Sequence, residues 1–242
     1  MEKTAIVTGA SSGIGLAISK MLVQKGFLVY GFGRNFQNDK CFDNNIHSMF
    51  HQISCDITDT SKLIDELNSI RKNHDIKVLI NNAGVGFYGL HETLNSAKIQ
   101  QMVRTNLEAP MIITNILLRD LQKTKGYIIN ISSVTATKTN THGCAYGATK
   151  AGLTSFTHSL FDEVRKTGVK VINIQPDMTK TNLYRNADFC EDDGVLAHLN
   201  PKEVADIVEY IIGCRDGLVI SDVTLKPQLH RIKRKNQKSN IQ

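Results

Sequence analysis

No apolar run in the 242-residue chain approaches the ~18 residues needed to cross a bilayer as a helix, since even Met111–Leu118 contains Thr114 and Asn115. That excludes a helical membrane span. The five cysteines (Cys41, Cys55, Cys144, Cys190, Cys214) are odd in number, widely spaced and without a CxxC pair. Their pattern argues against a disulfide framework or a zinc site, so no metal is expected and reduced thiols in the cytoplasm are. The N-terminal residues read as a strand meeting glycine at position 9 rather than as a signal peptide. Acidic residues are missing from 226–242, where Lys226, Arg231, Lys233, Arg234, Lys235 and Lys238 lie. Without those six, residues 1–225 carry 23 basic and 23 acidic residues, so the net charge of +6 belongs to the tail. No aromatic is interleaved there to stack bases, which demotes nucleic acid as the main partner. A frayed, solvated tail or a subunit contact is the expectation.

What is present is ordinary globular composition, 41% hydrophobic and 21% charged, in an alternating pattern. Short β-branched runs at Thr4–Thr8, Phe27–Phe32, Val78–Asn81, Tyr127–Ser132, Val169–Gln175 and Leu218–Leu225 read as strands, with a weaker one at Ser48–Ile53. Between the first two, Ile14, Ala17, Ile18, Met21 and Leu22 mark one face of a helix. Further helices are expected over Ser61–Lys72, Ala97–Gln122, Cys144–Lys166 and Pro201–Gly213, the last opened by a cap residue, a proline and an acid. Alternation of this kind implies right-handed crossovers and a parallel sheet. The expected architecture is one α/β domain over residues 1–225, a doubly wound sheet with helices on both faces, followed by the basic tail 226–242.

The first strand runs into Thr8-Gly9-Ala10-Ser11-Ser12-Gly13-Ile14-Gly15. Glycines let backbone turn sharply and approach a ligand, and the helix that follows offers free N–H groups to a pyrophosphate. The same turn also describes a plain tight connection. Four more segments join it: Asn81-Asn82-Ala83-Gly84, Thr105-Asn106-Leu107, Ser132-Ser133, and Tyr146-Gly147-Ala148-Thr149-Lys150. Ser133 precedes Tyr146 by thirteen residues, and Asn106 precedes Ser133 by twenty-seven. In these motifs, in this order, the chain resembles the short-chain dehydrogenase/reductase family over about residues 3–225.

The resemblance implies a Rossmann-type fold and a dinucleotide held by Gly9, Ser11, Ser12, Gly13, Ile14 and Gly15, with Asp56 and Ile57 at the adenine and Asn82, Ala83 and Gly84 along the cleft. At the end of the second strand, where an acid would bind the ribose of NAD(H), stand Gly33 and then Arg34. An arginine there accommodates a 2′-phosphate, so NADP(H) is favoured over NAD(H). Arg34 also fits a solvated loop arginine, and Asp56 a plain turn aspartate.

Tyr146 and Lys150 are four apart on an expected helix and share a face. A lysine cation about 4 Å from the phenol, at an effective dielectric near 20, is worth roughly 4 kcal/mol and draws the tyrosine towards neutral pH. Without context such a pair reads as a lysine lying along a half-buried ring. By resemblance Tyr146 is the general acid/base, Lys150 also binds the nicotinamide ribose, and Ser133 holds the substrate oxygen. Asn106 would kink its helix and help seat a water connecting Lys150 to solvent; taken alone it is a helix-surface amide. No Gly-x-Ser-x-Gly elbow surrounds Ser133 to make it a nucleophile.

Two departures from the family pattern stand out. After the sixth strand the family's Pro-Gly is here Pro176-Asp177, followed by Met178-Thr179-Lys180-Thr181. Pro176, Thr179 and Thr181 are the candidates for the nicotinamide end, and Asp177 reads as a turn residue tolerant of unusual dihedrals. The second departure is the C-terminus, which lacks the glycine pair common in related tetramers and ends in the basic tail. Residues 182–199 read as a lid, with Leu183, Tyr184, Phe189, Val195 and Leu196 facing an apolar substrate and Glu191-Asp192-Asp193 facing water. Residues 139–144, including His142, read as the opposite wall. The expected function is NADP(H)-dependent hydride transfer to or from a ketone or secondary alcohol, by a homo-oligomer (dimer or tetramer). A non-catalytic dinucleotide sensor or scaffold of the same fold is the alternative, against which the full set Asn106, Ser133, Tyr146 and Lys150 argues.

Overall fold

The computed structural model describes residues 3–36 and 47–235; Cys41 and Lys238 lie outside them. Strands β1 (Lys3–Thr8), β2 (Phe27–Gly33), β3 (Phe50–Ser54), β4 (Ile76–Asn81), β5 (Tyr127–Ile131), β6 (Lys170–Pro176) and β8 (Asp222–Leu225) form one parallel sheet in the order β3-β2-β1-β4-β5-β6-β8. Helices α1 (Gly13–Gln24), α2 (Thr60–Asn73), α3 (Ser96–Val103), α4 (Ala109–Thr124), α5 (Cys144–Val164) and α6 (Pro201–Ile212) are the crossovers. This is a Rossmann-like single domain. Strand order reverses between β1 and β4, which opens a crevice beyond the carboxyl ends of the strands, where ligands of such sheets bind.

Side-chain alternation explains why the strands read as unbroken apolar runs. Ala5 and Val7 of β1 join Ile18 and Leu22 of α1 and Val204 and Val208 of α6 in one core. Ile6, between them, joins Leu63 and Leu67 of α2 and Ile113 and Leu117 of α4 in a second core on the other face. Through β4–β8 the second face also carries a polar rung. The register aligns Asn81, Asn130, Asn173 and Asp222 across four strands. Asn81 donates to Asn130 at 2.8 Å, Asn130 to Thr157 of α5 at 2.8 Å, and Asn173 to Asp222 at 3.0 Å.

Three boundaries differ from the periodicity. The single helix expected over 97–122 is interrupted by a π-helical turn, Arg104–Glu108, between α3 and α4. The last strand of the large sheet is shorter than Leu218–Leu225, because the ladder to β6 starts only where Asn173 N–H meets the Ser221 carbonyl. Residues 226–235 do not fray. They fold back so that β9 (Ile232–Arg234) pairs antiparallel with β7 (Phe189–Glu191) in a separate two-stranded sheet.

Candidate active site

The turn after β1 is built around two glycines at positive φ, Gly9 (67°) and Gly13 (55°). A Cβ on Gly9 would meet Asn82 Nδ2 at 2.8 Å and the Ala83 backbone at 2.9 Å, so side-chain-free backbone is required there. Gly9, Ser11, Ser12, Gly13 and Ile14 line the crevice. Gly15 does not line it; its role is packing, since a Cβ would strike the Gly9 carbonyl oxygen at 2.2 Å. Thr8, which the motif reading passes over, ties this turn to the end of β4. Its hydroxyl accepts from the Asn82 and Ala83 N–H groups, both at 3.0 Å. Asn82 returns the contact by donating to the Thr8 carbonyl at 2.9 Å.

Arg34 is exposed at one end of the crevice, near Gly33, Asp56 and Ile57. Among the described residues its guanidinium has no ion-pair partner. Asp56 does form a turn, accepting from Thr58 N–H at 3.0 Å and Thr58 Oγ1 at 2.8 Å through one carboxylate oxygen. At the other end Pro176, Asp177, Thr179 and Thr181 all line the crevice. Asp177 needs no unusual dihedral, because Lys125 is the one described non-glycine residue at positive φ. The notion that aspartate stands there for its tolerance of strained backbone is therefore corrected.

Ser132 and Ser133 point in opposite directions, as strand geometry requires. Ser132 Oγ reaches the Lys150 carbonyl at 3.0 Å and Thr154 at 2.8 Å, against α5. Ser133 lines the crevice and accepts from Thr135 N–H (3.2 Å) and Thr135 Oγ1 (3.0 Å). Its lone pairs are thus engaged and its own proton is left for the Tyr146 hydroxyl, which it faces. Tyr146 and Lys150, one turn apart on α5, are 3% and 4% exposed.

Their electrostatics differ from the pairwise expectation. Burial raises the Tyr146 phenol to about 12, although the Ser133 and Tyr88 hydroxyls pull the other way. Burial likewise lowers the Lys150 ammonium to about 8. Lys150 Nζ donates to the Ile131 carbonyl at 2.8 Å and sits 5.9 Å from the Tyr146 ring centroid.

Asn106 is fully buried in the π-helical turn, not on a helix surface. Its Oδ1 accepts from Val85 N–H, its Nδ2 donates to the Val85 carbonyl, both at 2.9 Å, and Nδ2 also reaches Thr149 at 3.1 Å. That side chain clamps the segment after β4 to α5 and does not itself line the crevice. Around Gly84 the parts converge: a Cβ there would lie 3.6 Å from Asn106 Oδ1 and 3.7 Å from Lys150 Nζ.

Above Tyr146 lies an aromatic wall. The Tyr88 ring is 5.5 Å from that of Tyr146, 5.8 Å from Tyr184 and 5.3 Å from Phe189. Leu183 packs against the same cluster. Val195 and Leu196, expected to face substrate, are instead 82% and 56% exposed on the outside of the lid. The acidic run is only partly wet, since Glu191 and Asp192 are half-buried, while Asp193 is exposed and pairs with Lys233 at 2.5 Å. His142 is exposed, and its carbonyl accepts from Gly89 N–H at 2.8 Å, joining the two loops of the opposite wall.

The family model for short chain dehydrogenase matches residues 3–189. A serine 3-dehydrogenase of Agrobacterium fabrum is 34% identical over 216 residues, covering 87% of each chain. A probable NADP-dependent dehydrogenase of Haemophilus influenzae is 32% identical over 93% of each chain. Among solved structures, a metagenomic short-chain oxidoreductase in complex with NADP superposes with a TM-score of 0.80 at 28% identity, over 94% of this chain and 98% of that one. An alcohol dehydrogenase from the archaeon Thermococcus sibiricus, complexed with 5-hydroxy-NADP, shares the fold at a TM-score of 0.85 and 19% identity, over 98% of this chain and 100% of that one.

Proposed function

The chain belongs to the short-chain dehydrogenase/reductase family of oxidoreductases, and from that premise we propose that it reduces a ketone to a secondary alcohol with NADP(H), Tyr146 serving as general acid. The observation that carries this reading is a buried phenol beside the Ser133 hydroxyl, both lining the crevice. With its pKa raised to about 12, Tyr146 holds its proton at neutral pH. That is the form needed to deliver one to a developing alkoxide.

The residues present fit a dinucleotide. The turn at Gly9–Ile14 is free of Cβ atoms where backbone must approach, and it opens onto the N-terminus of α1. Gly9, Ser11, Ser12, Gly13 and Ile14 would hold the diphosphate, Asp56 and Ile57 the adenine, and Thr179 and Thr181 the nicotinamide end. Arg34 would receive a 2′-phosphate, and a guanidinium suits that anion through paired charge-assisted hydrogen bonds. The relative named as NADP-dependent and the NADP-bound neighbour support NADP(H) as the dinucleotide. When bound, the dinucleotide supplies the hydride.

The protein's part is then positional and protic. Ser133 holds the carbonyl oxygen in line with Tyr146 and donates to it as charge develops. Tyr146 gives up its proton, and Lys150, whose ammonium is destabilised to about 8, is poised to stabilise the resulting phenolate. Asn106 keeps α5 and the segment after β4 at fixed spacing. The aromatic wall and Leu183 favour an apolar group on the carbonyl carbon. Initial rates with a panel of aryl and alkyl ketones test this, with NADPH oxidation matched against alcohol formed. Stoichiometric turnover of at least one ketone is expected; none across the panel would contradict the assignment.

A further inference from the structure

The two places where this chain departs from its family's pattern touch each other. Asp177, which stands where a glycine is usual, has its carboxylate 3.1 Å from His230 Nδ1 in the C-terminal segment, and its side chain is only 9% exposed. We propose that residues 229–235 are a strap that positions the lid over the substrate site, making them specificity-determining residues of the reaction proposed above.

The strap follows the lid along its length. Leu229 N–H donates to the Leu196 carbonyl at 2.8 Å, Asp192 N–H to the Arg231 carbonyl at 3.3 Å, and Lys235 N–H to the Asp188 carbonyl at 2.7 Å. Between these, β9 pairs with β7 in the register Phe189↔Arg234, Cys190↔Lys233, Glu191↔Ile232. The Lys235 ammonium caps the Tyr184 carbonyl at 2.6 Å and reaches that of Arg185 at 3.4 Å. The exposed Lys233–Asp193 pair adds little by itself, since such pairs are screened by water and salt. Backbone pairing and the Lys235 cap do the holding.

What the strap holds is the aromatic wall. β9 is the ladder partner of β7 among the described residues, and a three-residue strand does not persist alone. Phe189 lies in β7, and its ring meets Tyr88 at 5.3 Å and Tyr184 at 5.4 Å. Tyr88 in turn meets Tyr146 at 5.5 Å. Two ring contacts, Phe189–Tyr88 and Tyr88–Tyr146, thus lead from β7, which the C-terminal segment pairs with, to the phenol. Two of the tail's cations are engaged on the lid, Lys233 with Asp193 and Lys235 with the Tyr184 and Arg185 carbonyls. A substrate offering a flat apolar face to the wall is the class most dependent on the strap; a small alkyl ketone is the least.

The experiment compares the full chain with a chain ending at residue 228 and with Lys233→Pro, which removes one ladder N–H and the ammonium without shortening the protein. Hydrogen exchange of backbone amides 183–196 is expected to quicken by about 10-fold or more in both variants, while β1, β4 and β5 exchange as before. With NADPH saturating, KM for an aryl ketone is expected to rise about 10-fold and that for a two- to four-carbon alkyl ketone less than about 2-fold, kcat staying within about 3-fold. Unchanged exchange in the lid would overturn the strap whatever the activity. Quickened exchange with an unchanged aryl-ketone KM would overturn its role in specificity. Failure of the full chain to reduce any carbonyl would refute the functional reading separately, leaving the exchange result to decide the strap.

Discussion

Burial acts on Tyr146 and Lys150 in opposite directions, because it disfavours whichever form is charged: the phenolate in one case, the ammonium in the other. The consequence is a pH profile. Ketone reduction needs Tyr146 protonated and Lys150 charged, so the rate is expected to hold to about pH 7, to be about halved near pH 8, where half of the ammonium has lost its proton, and to fall further above it. Initial rates between pH 6 and 10 at saturating NADPH check this; a rate still climbing at pH 9 would contradict it. Arg34 gives the second residue-scale prediction. Losing charge-assisted hydrogen bonds worth about 1.5–3 kcal/mol, Arg34→Ala should weaken NADPH binding by about 10–100-fold and leave NADH binding nearly unchanged, as read by cofactor titration. The candidate residues were legible at this scale because the chemistry is carried by short contiguous motifs. Thr8, Thr135 and Tyr88 were not, since each acts through a partner chosen by the fold: Thr8 through N–H groups 74 and 75 residues away, Tyr88 through a ring contact to α5.

Elements place these groups by close approach rather than by flexibility. α1 lies against the turn after β1 only because Gly15 has no side chain, a Cβ there being 2.2 Å from a backbone oxygen. Gly15→Ala should therefore cost about 1–3 kcal/mol through overpacking and weaken dinucleotide binding in parallel, checked by thermal unfolding and NADPH titration. On the far side of the sheet Asn81 and Asn130 tie β4 to β5, Asn130 reaches α5 through Thr157, and Asn173 of β6 accepts from Thr154 of the same helix, which also carries Lys150. Asn130→Leu leaves one N–H of the Asn81 amide without its acceptor, while Asn81 keeps its bond to Thr114 and Thr157 its bond to the Leu153 carbonyl, so a cost of about 1–3 kcal/mol and a Tm lower by a few degrees are expected. Strand and helix existence was readable from apolar runs and three- and four-residue spacing. The break at Arg104–Glu108 leaves no mark in the periodicity and was readable only through the family resemblance, which implies a kink at Asn106; the contacts of Asn106 with Val85 and Thr149 have no local signature.

At the scale of the whole molecule, the neutral body and residues 229–235 of the basic tail turn out to be parts of one surface. Read as letters, 226–242 is a charge run, and a charge run suggests solvent or an external partner. In three dimensions residues 229–235 lie on the lid, and His230 meets Asp177 across 53 positions of sequence. Short antiparallel pairings of this kind leave no period in the sequence, and their register is fixed by where the β6–α6 connection happens to run. A strap of backbone hydrogen bonds predicts modest salt sensitivity: raising ionic strength from 0.05 to about 0.5 M should change the aryl-ketone KM by less than about 3-fold. A rise of tenfold or more would assign the holding to the ion pairs instead.

The central claim is that the Tyr146 hydroxyl supplies the proton in carbonyl reduction. Its most direct test is Tyr146→Phe, which keeps the ring in its buried place and removes the oxygen, measured for ketone turnover at saturating NADPH with cofactor affinity determined on the same protein. The account predicts kcat lower by about 10²–10⁴-fold with NADPH affinity unchanged within about twofold. Turnover equal to that of the unsubstituted chain would contradict it.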